Sequence, residues 1–423
     1  MGPVRTAVRR SGCGLMATAL LLTGCAGSAD GPDSEVEHQP VALDEARAVD
    51  DAVAATTELG TRLLDWSQSG HGEPENSIIS PASVAVMLAM LAEGAEGPAA
   101  DELDVALGAS GQDRTQAYSA LQAAVLGYDD DPSLIQGEEL PERPLLHLAN
   151  HIAVDDDAEV GQPFLDALAR SFSADTSQID LAGDSRRLDE WVSEHTGGLI
   201  DRSAIEPGPG LEFVLQNAVL LAARWQHQFA ASETRPRDFH GPGGATTQVD
   251  FMHQDITATY SNADGTQAVR LPYTEGFAMD VVLPAEGAQP SDLDPGHWST
   301  LDDDLAADPA TAVDLAMPRI DVDTDLPLLG ALEAIGLGSV ISGDSLDPIA
   351  PGTEIGQAEH RAVMTVDESG TVAAAVTEVA GVTSAPPPPE NTARMVVDRP
   401  FVLRIVHEET GWPLFMGVIA QPA

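Results

Sequence analysis

Apolar residues recur at helical spacing in several segments, most of them in the first half of the chain. This spacing predicts helices at Val41–Trp66, Pro81–Glu93, Ala100–Leu107, Pro163–Phe172 and Ser185–His195. Ser80 stands directly before the second segment, and a serine there commonly accepts a hydrogen bond from the first helical turn. We therefore predict that Ser80 is a helix N-cap.

Continuous or alternating apolar runs become frequent in the second half of the chain. They predict strands at Leu145–Val154, Leu211–Trp225, Ala268–Tyr273, Ala278–Pro284, Ala312–Val322, Arg361–Glu368, Phe401–Glu408 and Pro413–Pro422. Because helices come mostly first and strands mostly later, the predicted class is α+β. No repeat of fixed length is present, which argues against a solenoid.

The first residues have the pattern of an export signal. Three arginines precede an apolar run that is too short to span a membrane comfortably, and Leu22-Thr23-Gly24-Cys25 follows directly. This ending resembles the lipobox of bacterial-type lipoproteins, in which the cysteine carries the lipid; the alternative is an ordinary signal with a chance cysteine. We predict a signal at residues 1–24, lipid attachment at Cys25, and a flexible acidic tether over residues 25–50.

Composition narrows the possible partners. The 423 residues include 68 acidic and 20 basic side chains, all of the latter arginine, for a formal net charge of −48. Such a chain would repel nucleic acid and heparin-like polyanions, so we expect neither as a partner. We predict that the acidic side chains form a solvated coat on the surface of the protein. The alternative is that they attract and steer a basic partner. Cys13 would leave with the signal, so with Cys25 lipidated no disulfide is expected.

Catalytic motifs are missing from the sequence. It has no G-x-S-x-G elbow, no H-E-x-x-H, no paired C-x-x-C and no strand-bounded G-x-G-x-x-G. His407-Glu408-Glu409 resembles part of a zinc motif but lacks the second histidine. We therefore expect neither an enzyme nor a bound cofactor or metal.

Four blocks in order resemble the signature segments of the serpins. They are "NSIISPASVAVMLAMLAEGAEGPAADEL" from Asn76, "VLQNAVLLAARWQHQF" from Val214, "HRAVMTVDESGTVAAAVT" from His360 and "DRPFVLRIVHEETGWPLFMGVIAQP" from Asp398. The resemblance covers essentially everything after the tether and implies one domain over residues 51–423. It implies helices packed around a large mixed sheet, with smaller sheets and an exposed reactive-centre loop.

The segment from Asp367 to Phe401 corresponds to the stretch that carries that loop. In an inhibitory serpin a protease cuts the loop, and the part before the cut enters the main sheet as a new central strand. Between Thr371 and Thr383 the only charged residue is Glu378. Because strand side chains alternate, an outward Glu378 places small or uncharged residues inward: Thr371, Ala373, Ala375, Thr377 and Val379. The prolines from Pro386 cannot join a sheet as a central strand.

The resemblance also assigns roles residue by residue. The polar shutter beneath the parting strands would be Ser80, Ser83, Asn217 and His360, and Trp225 would be the breach tryptophan where the loop enters. The hinge would be Glu368, Gly370, Thr371, Ala373, Ala374 and Ala375. Val372 replaces the glutamate usual after the hinge threonine, and we expect it to face outward and be tolerated.

The sequence thus predicts an extracellular, monomeric suicide inhibitor of serine proteases that is lipid-anchored on the outer face of the cell membrane, with a secreted protein as the alternative. It would hold its target protease as a covalent acyl-enzyme. Counting from the hinge, the reactive bond is Ser384–Ala385, with a cut after Thr383 as the alternative. Small uncharged residues there favour elastase- or subtilisin-like enzymes over trypsin. The alternative function is a non-inhibitory serpin-fold binding protein that never inserts its loop.

Overall fold

The structure is a computed structural model that describes Gly2 and residues 36–69, 73–137, 139–183, 186–307, 310–342, 345–372 and 393–422. The predicted lipid site at Cys25, the hinge alanines 373–375 and the predicted reactive bond at residues 383–385 lie outside the described residues.

The helices follow the apolar spacing closely where it is strong. In chain order they are α1 Val49–Gln68, α2 Pro81–Leu91, α3 Gly97–Ala106, α4 Gly111–Val125, α5 Gln162–Phe172, α6 Arg186–His195, α7 Pro295–Ala307, α8 Leu328–Ala334 and α9 Gly338–Ile341. None of the described helices is both long and apolar enough to cross a membrane. The first helix begins at Val49, and Gln39 N–H donates to Arg170 O at 2.8 Å, so the end of the predicted tether lies against the domain.

The strands of the described residues form two sheets. They are β1 Ser77–Ile79, β2 Leu145–Asp155, β3 Asp175–Ile179, β4 Phe213–Arg224, β5 Arg235–His240, β6 Thr246–Ala263, β7 Thr266–Pro272, β8 Phe277–Leu283, β9 Thr311–Pro318, β10 Ile320–Pro327, β11 Glu359–Val366, β12 Gly370–Val372, β13 Ala393–Val396, β14 Phe401–His407 and β15 Pro413–Ile419. The larger sheet has the order β1-β15-β14-β8-β7-β6-β9-β13, with β5 paired to β6; the other has the order β10-β11-β12-β4-β2-β3. This mixed architecture confirms the α+β prediction.

Helix α2 connects the two sheets. It contacts β4 of the six-stranded sheet and β15 of the nine-stranded sheet, and nearly all of its residues are buried. The Ser80 hydroxyl accepts from the Ser83 N–H at 3.1 Å, and Pro81 occupies the first turn, where no intrahelical N–H bond is lost. The predicted N-cap is therefore confirmed. Helix α6 covers the opposite face of the six-stranded sheet, where it contacts β2 and β4.

One predicted strand is wrong in a way that matters for the site. Ala312–Val322 is two strands, β9 and β10, which belong to different sheets. The break falls at Pro318 and Arg319, because a proline has no N–H to continue a central ladder. Arg319 therefore sits at a corner between the sheets, near the turn that precedes β12.

Candidate functional site

A tight turn brings the chain back alongside β11. The Asp367 carboxylate accepts from Ser369 N–H at 2.7 Å and from Gly370 N–H at 3.2 Å, and Asp367 N–H donates to Gly370 O at 3.0 Å. Aspartate at the first and glycine at the fourth position are favoured in such turns, since the short carboxylate reaches the following amides. The turn reverses the chain, so β12 runs antiparallel to β11.

Glycine is required at the start of β12 because the backbones approach closely. A Cβ built on Gly370 would lie 2.1 Å from Ala223 O and 2.8 Å from the Arg224 Cα, which are backbone atoms of β4. Any larger residue would push β12 away from β4. The predicted hinge position Gly370 is thus the point where the chain enters the sheet.

The three residues of β12 form a wedge between two longer strands. Thr371 pairs with Val366 of β11 and Ala223 of β4, and Val372 pairs with Thr365 and Ala222. Beyond Val372 the described residues place no strand between β4 and β11, and no register joins these two strands directly. A cavity of about 350 Å³ lies here, lined by both strands, α2 and Thr371.

The aromatic rings of Trp225 and Tyr273 lie beside β12 and the turn that precedes it. Trp225 is buried, its indole N–H donates to Asp367 O at 2.9 Å, and its backbone N–H donates to Ser369 O at 3.0 Å. Its ring stacks on Tyr273 with centroids 4.6 Å apart and planes 7° from parallel. The Tyr273 hydroxyl lies 2.5 Å from the Thr371 hydroxyl. The predicted breach tryptophan therefore contacts the turn that leads into the hinge.

An ion pair fixes the same turn from outside. The Glu368 carboxylate accepts from Arg319 Nε at 3.0 Å and Nη2 at 2.6 Å, and from the Thr234 hydroxyl at 2.5 Å. Burial alone would raise the pKa of Glu368, but the hydrogen bonds from Arg319 and Thr234 outweigh it and lower that pKa below its usual value. Glu368 therefore stays charged and paired at neutral pH.

The four predicted shutter residues line one cavity, the gap between β4 and β11. Ser80 N–H donates to His360 Nε2 at 2.9 Å, which requires that this nitrogen carry no proton. Burial lowers the pKa of His360 to about 4. The buried imidazole is therefore neutral at physiological pH and links α2 to β11.

Asn217 lies across the gap from His360, on β4. Its Nδ2 donates to Asn150 Oδ1 at 2.6 Å, and Asn150 in turn donates to Gln122 Oε1 at 2.8 Å and Phe172 O at 2.7 Å. The Asn217 Oδ1 is buried and has no hydrogen-bond partner among the described residues. A buried acceptor left unpaired is costly, so this oxygen is available to a donor that enters the gap.

The two faces of β12 differ as strand alternation requires. Thr371 lies on the side of the main core, and Val372 packs on the other face with Ile135, Leu145 and Leu220. Val372 does face away from Thr371, but it is 8% exposed rather than open to solvent. A valine suits this apolar cluster, whereas a glutamate would not.

Sequence reasoning missed several residues of this site: Arg319, Thr234, Tyr273, Asn150 and Gln122. Each lies far along the chain from the hinge or shutter residue that it contacts. For Arg319 a signal existed, because Pro318 marks the strand break that places it at the corner. Tyr273 stood at the end of a predicted strand, but nothing in its spacing indicated that it reaches the hinge.

Comparison with known proteins identifies the fold that carries this site. The family model described as "Serpin (serine protease inhibitor)" matches residues 54–422. A serpin-like protein of Thermococcus kodakarensis is 28% identical over 363 residues, covering 83% of this chain and 82% of the relative. Serine protease inhibitor 42Dd of Drosophila melanogaster is 28% identical over 365 residues, covering 82% and 92%.

The solved structures agree with the sequence comparisons. The thermophilic serpin tengpin in its native state superposes with a TM-score of 0.73 at 22% identity, covering 91% of this chain and 97% of tengpin. The chain belongs to the serpin family, whose members are generally protease inhibitors rather than enzymes.

Proposed function

We propose that this serpin is a suicide inhibitor of elastase- or subtilisin-like serine endopeptidases. The observation that carries the proposal is the wedge: β12 already stands between β4 and β11, at the top of a gap that both strands line. A cut in the segment that follows Val372 would free that segment to extend β12 into the gap.

The register of β12 determines what insertion would bring together. Continued antiparallel to both neighbours, it places successive inward residues opposite one residue of β4 and one of β11. Ala373 would meet Leu221 and Met364, and Ala375 would meet Val219 and Ala362. Alanines fit against these apolar side chains without an unpaired polar group, which supports insertion.

The same register brings Thr377 opposite Asn217 and His360. A threonine hydroxyl entering there could donate to the Asn217 Oδ1, which has no partner among the described residues. This complementarity supports the shutter role of Asn217 and His360. On the outer face Glu378 would lie opposite Glu359, with Arg361 at the diagonal position.

The length of the gap limits where the cut can fall. Strand β4 offers partners as far as Phe213, opposite residue 381, and β11 as far as Glu359, opposite residue 378. A cut at Ser384–Ala385, or after Thr383, leaves enough chain to fill the gap. About 13 residues at ~3.3 Å each would carry the attached protease on the order of 40 Å. The favourable free energy of insertion would come from new hydrogen bonds between strands and from the burial of apolar surface.

The residues around the proposed bond set the protease class. Thr383, Ser384 and Ala385 are small and uncharged, so they fit shallow pockets and offer no cation to a trypsin-like acidic pocket. Cutting after Ala385 would put Pro386 beyond the bond, without the amide hydrogen that proteases normally contact. Arg394 lies in β13, whose backbone pairs with β9, and this place within a sheet argues against its use as bait.

The proposed setting is the outer face of the cell membrane, with the lipid on Cys25 as the only membrane contact. The support is the sequence from Leu22 to Cys25 after its apolar run. The inhibitor would act as a monomer without a cofactor, and its surface charge would keep nucleic acid and heparin-like polyanions away.

Electrophoresis in boiling detergent tests the mechanism. Incubation with an elastase, a subtilisin and trypsin should yield a covalent complex with the first two only, and none with the same enzymes after their serine is blocked. Mass spectrometry should find a released C-terminal peptide that begins at Ala385, or at Ser384 for the alternative bond.

Two results would refute the proposal. An intact chain with no complex would favour a non-inhibitory binding protein, and a clean cut without complex would mean that insertion is too slow. A peptide that begins beyond Pro386, or efficient trapping of trypsin, would show that the reactive bond is assigned wrongly.

A further inference from the structure

The contact between Tyr273 and Thr371 joins the two sheets at the hinge. Tyr273 follows β7 of the nine-stranded sheet, and its N–H donates to Phe277 O at 2.9 Å. Its hydroxyl lies 2.5 Å from that of Thr371, in the three-residue wedge of the six-stranded sheet. Tyr273 is 1% exposed and Thr371 is 3% exposed. The hydrogen bond is therefore buried on the core side of the wedge.

Neither hydroxyl has another hydrogen-bond partner among the described residues. The Tyr273 ring is held in place by its parallel stack on Trp225 and by a backbone bridge between the same two residues. A rigid ring presents its hydroxyl at one fixed point, and Thr371 meets that point only when it is paired between Val366 and Ala223. The hydrogen bond between Tyr273 and Thr371 therefore forms only while Thr371 is paired in the sheet, and it would be lost if Thr371 left the sheet.

We infer that Tyr273 is a positioning residue that keeps Thr371 docked in the sheet, so that insertion starts from strand pairs that already exist. The inference rests on the proposed function for its consequence, but the docking is a property of the uncut protein. The Glu368–Arg319 pair holds the turn from outside, whereas Tyr273 holds the first residue of the wedge from within. Without the inner contact Thr371 would be docked for a smaller fraction of the time, and the first pairs would more often have to form after the cut, at the cost of ordering each residue.

Amide hydrogen exchange of the uncut protein tests the docking directly. Tyr273→Phe retains the ring that stacks on Trp225 but leaves the Thr371 hydroxyl unpaired. We expect exchange at residues 370–372 to quicken by about tenfold, equivalent to about 1.4 kcal/mol. Tyr118→Phe is the matched control: its hydroxyl is also buried and hydrogen-bonded, 3.2 Å from Leu107 O, but it lies away from the hinge.

The double variant distinguishes a specific contact from general destabilisation. Thr371→Val should quicken exchange as Tyr273→Phe does, because each leaves one hydroxyl unpaired. Combined, the two remove both hydroxyls, and we expect protection at residues 370–372 to return close to that of the unmodified protein. Unchanged exchange in Tyr273→Phe, equal quickening in Tyr118→Phe, or additive losses in the double variant would each overturn the inference.

Trapping assays separate this inference from the proposed function. If the unmodified protein forms the detergent-stable complex, Tyr273→Phe should raise the fraction that is cut without complex, and the double variant should lower it again. A complex that forms normally while exchange is unchanged refutes the docking role alone. Faster exchange in Tyr273→Phe, in a protein that traps no protease, supports the docking role and refutes the inhibitory function.

Discussion

The buried imidazole of His360 should make the free energy of unfolding depend on pH. It is 7% exposed, and its Nε2 accepts the Ser80 N–H at 2.9 Å, which only the neutral ring can do. Burial lowers its pKa from 6.5 to about 4. Protonation would both break the link between α2 and β11 and place a charge beneath the gap.

The sign and size follow from the two pKa values. Between pH 6.5 and about 4 the unfolded chain binds more protons at this histidine than the folded chain, so stability falls as the pH falls. The contribution is complete above pH 6.5 and lost below about 4. At ~1.36 kcal/mol per pH unit the whole effect is about 3 kcal/mol, of which about 2 kcal/mol is lost by pH 5. His195, whose pKa burial also lowers to about 4, adds to the loss in the same window.

Urea unfolding at about pH 7 and about pH 5 measures this loss. The matched variant is His360→Gln, whose amide oxygen can still accept from Ser80 but does not titrate. We expect the stability difference between the two pH values to be about 2 kcal/mol smaller in His360→Gln than in the unmodified protein. The same pH dependence in both proteins would refute the reasoning.

Three further predictions address the Glu368–Arg319 ion pair, the inward-facing positions of the inserting segment and the lipid anchor at Cys25. Glu368→Gln removes the carboxylate that binds Arg319. Because Arg319 is 42% exposed and can be hydrated, we expect the free energy of unfolding in urea to fall by only about 1–2 kcal/mol. An unchanged urea midpoint would contradict a stabilising role for this ion pair. Thr371→Arg or Ala373→Arg puts an unpaired charge on the inward face, so proteases should cut the loop without being trapped, and unchanged inhibitory stoichiometry would refute the assigned faces. Cys25→Ser should release the protein from the membrane fraction; soluble unmodified protein with a free thiol at Cys25 would disprove the anchor.

Sequence pattern predicted the elements with strong apolar spacing and failed where polar residues dominate. Helix α4 was missed because its buried residues include the polar Arg114, Ser119 and Gln122, which interrupt the apolar spacing. Strand β6 was missed over its 18 residues, since it crosses from β5 and β9 to β7 and its burial does not alternate regularly. The serpin resemblance pointed to Ser80, Ser83, Asn217, His360 and Thr371, and these five residues line the gap. It did not reveal Arg319 or Tyr273, because their roles come from tertiary contacts across two sheets.

The gap between β4 and β11 also affects how copies of this protein behave toward one another. The described residues leave two strand edges facing a cavity, and such edges can pair with a strand from another molecule. Each copy has a formal net charge of −48, so two copies repel before an edge can be reached. Salt screens that repulsion, and at physiological ionic strength its range falls to about 8–10 Å. Light scattering after mild heating should therefore detect association of the protein at high salt but not at low salt. We expect the acidic surface to act as a colloidal barrier that keeps the strand edges left by the described residues of one copy from pairing with another copy.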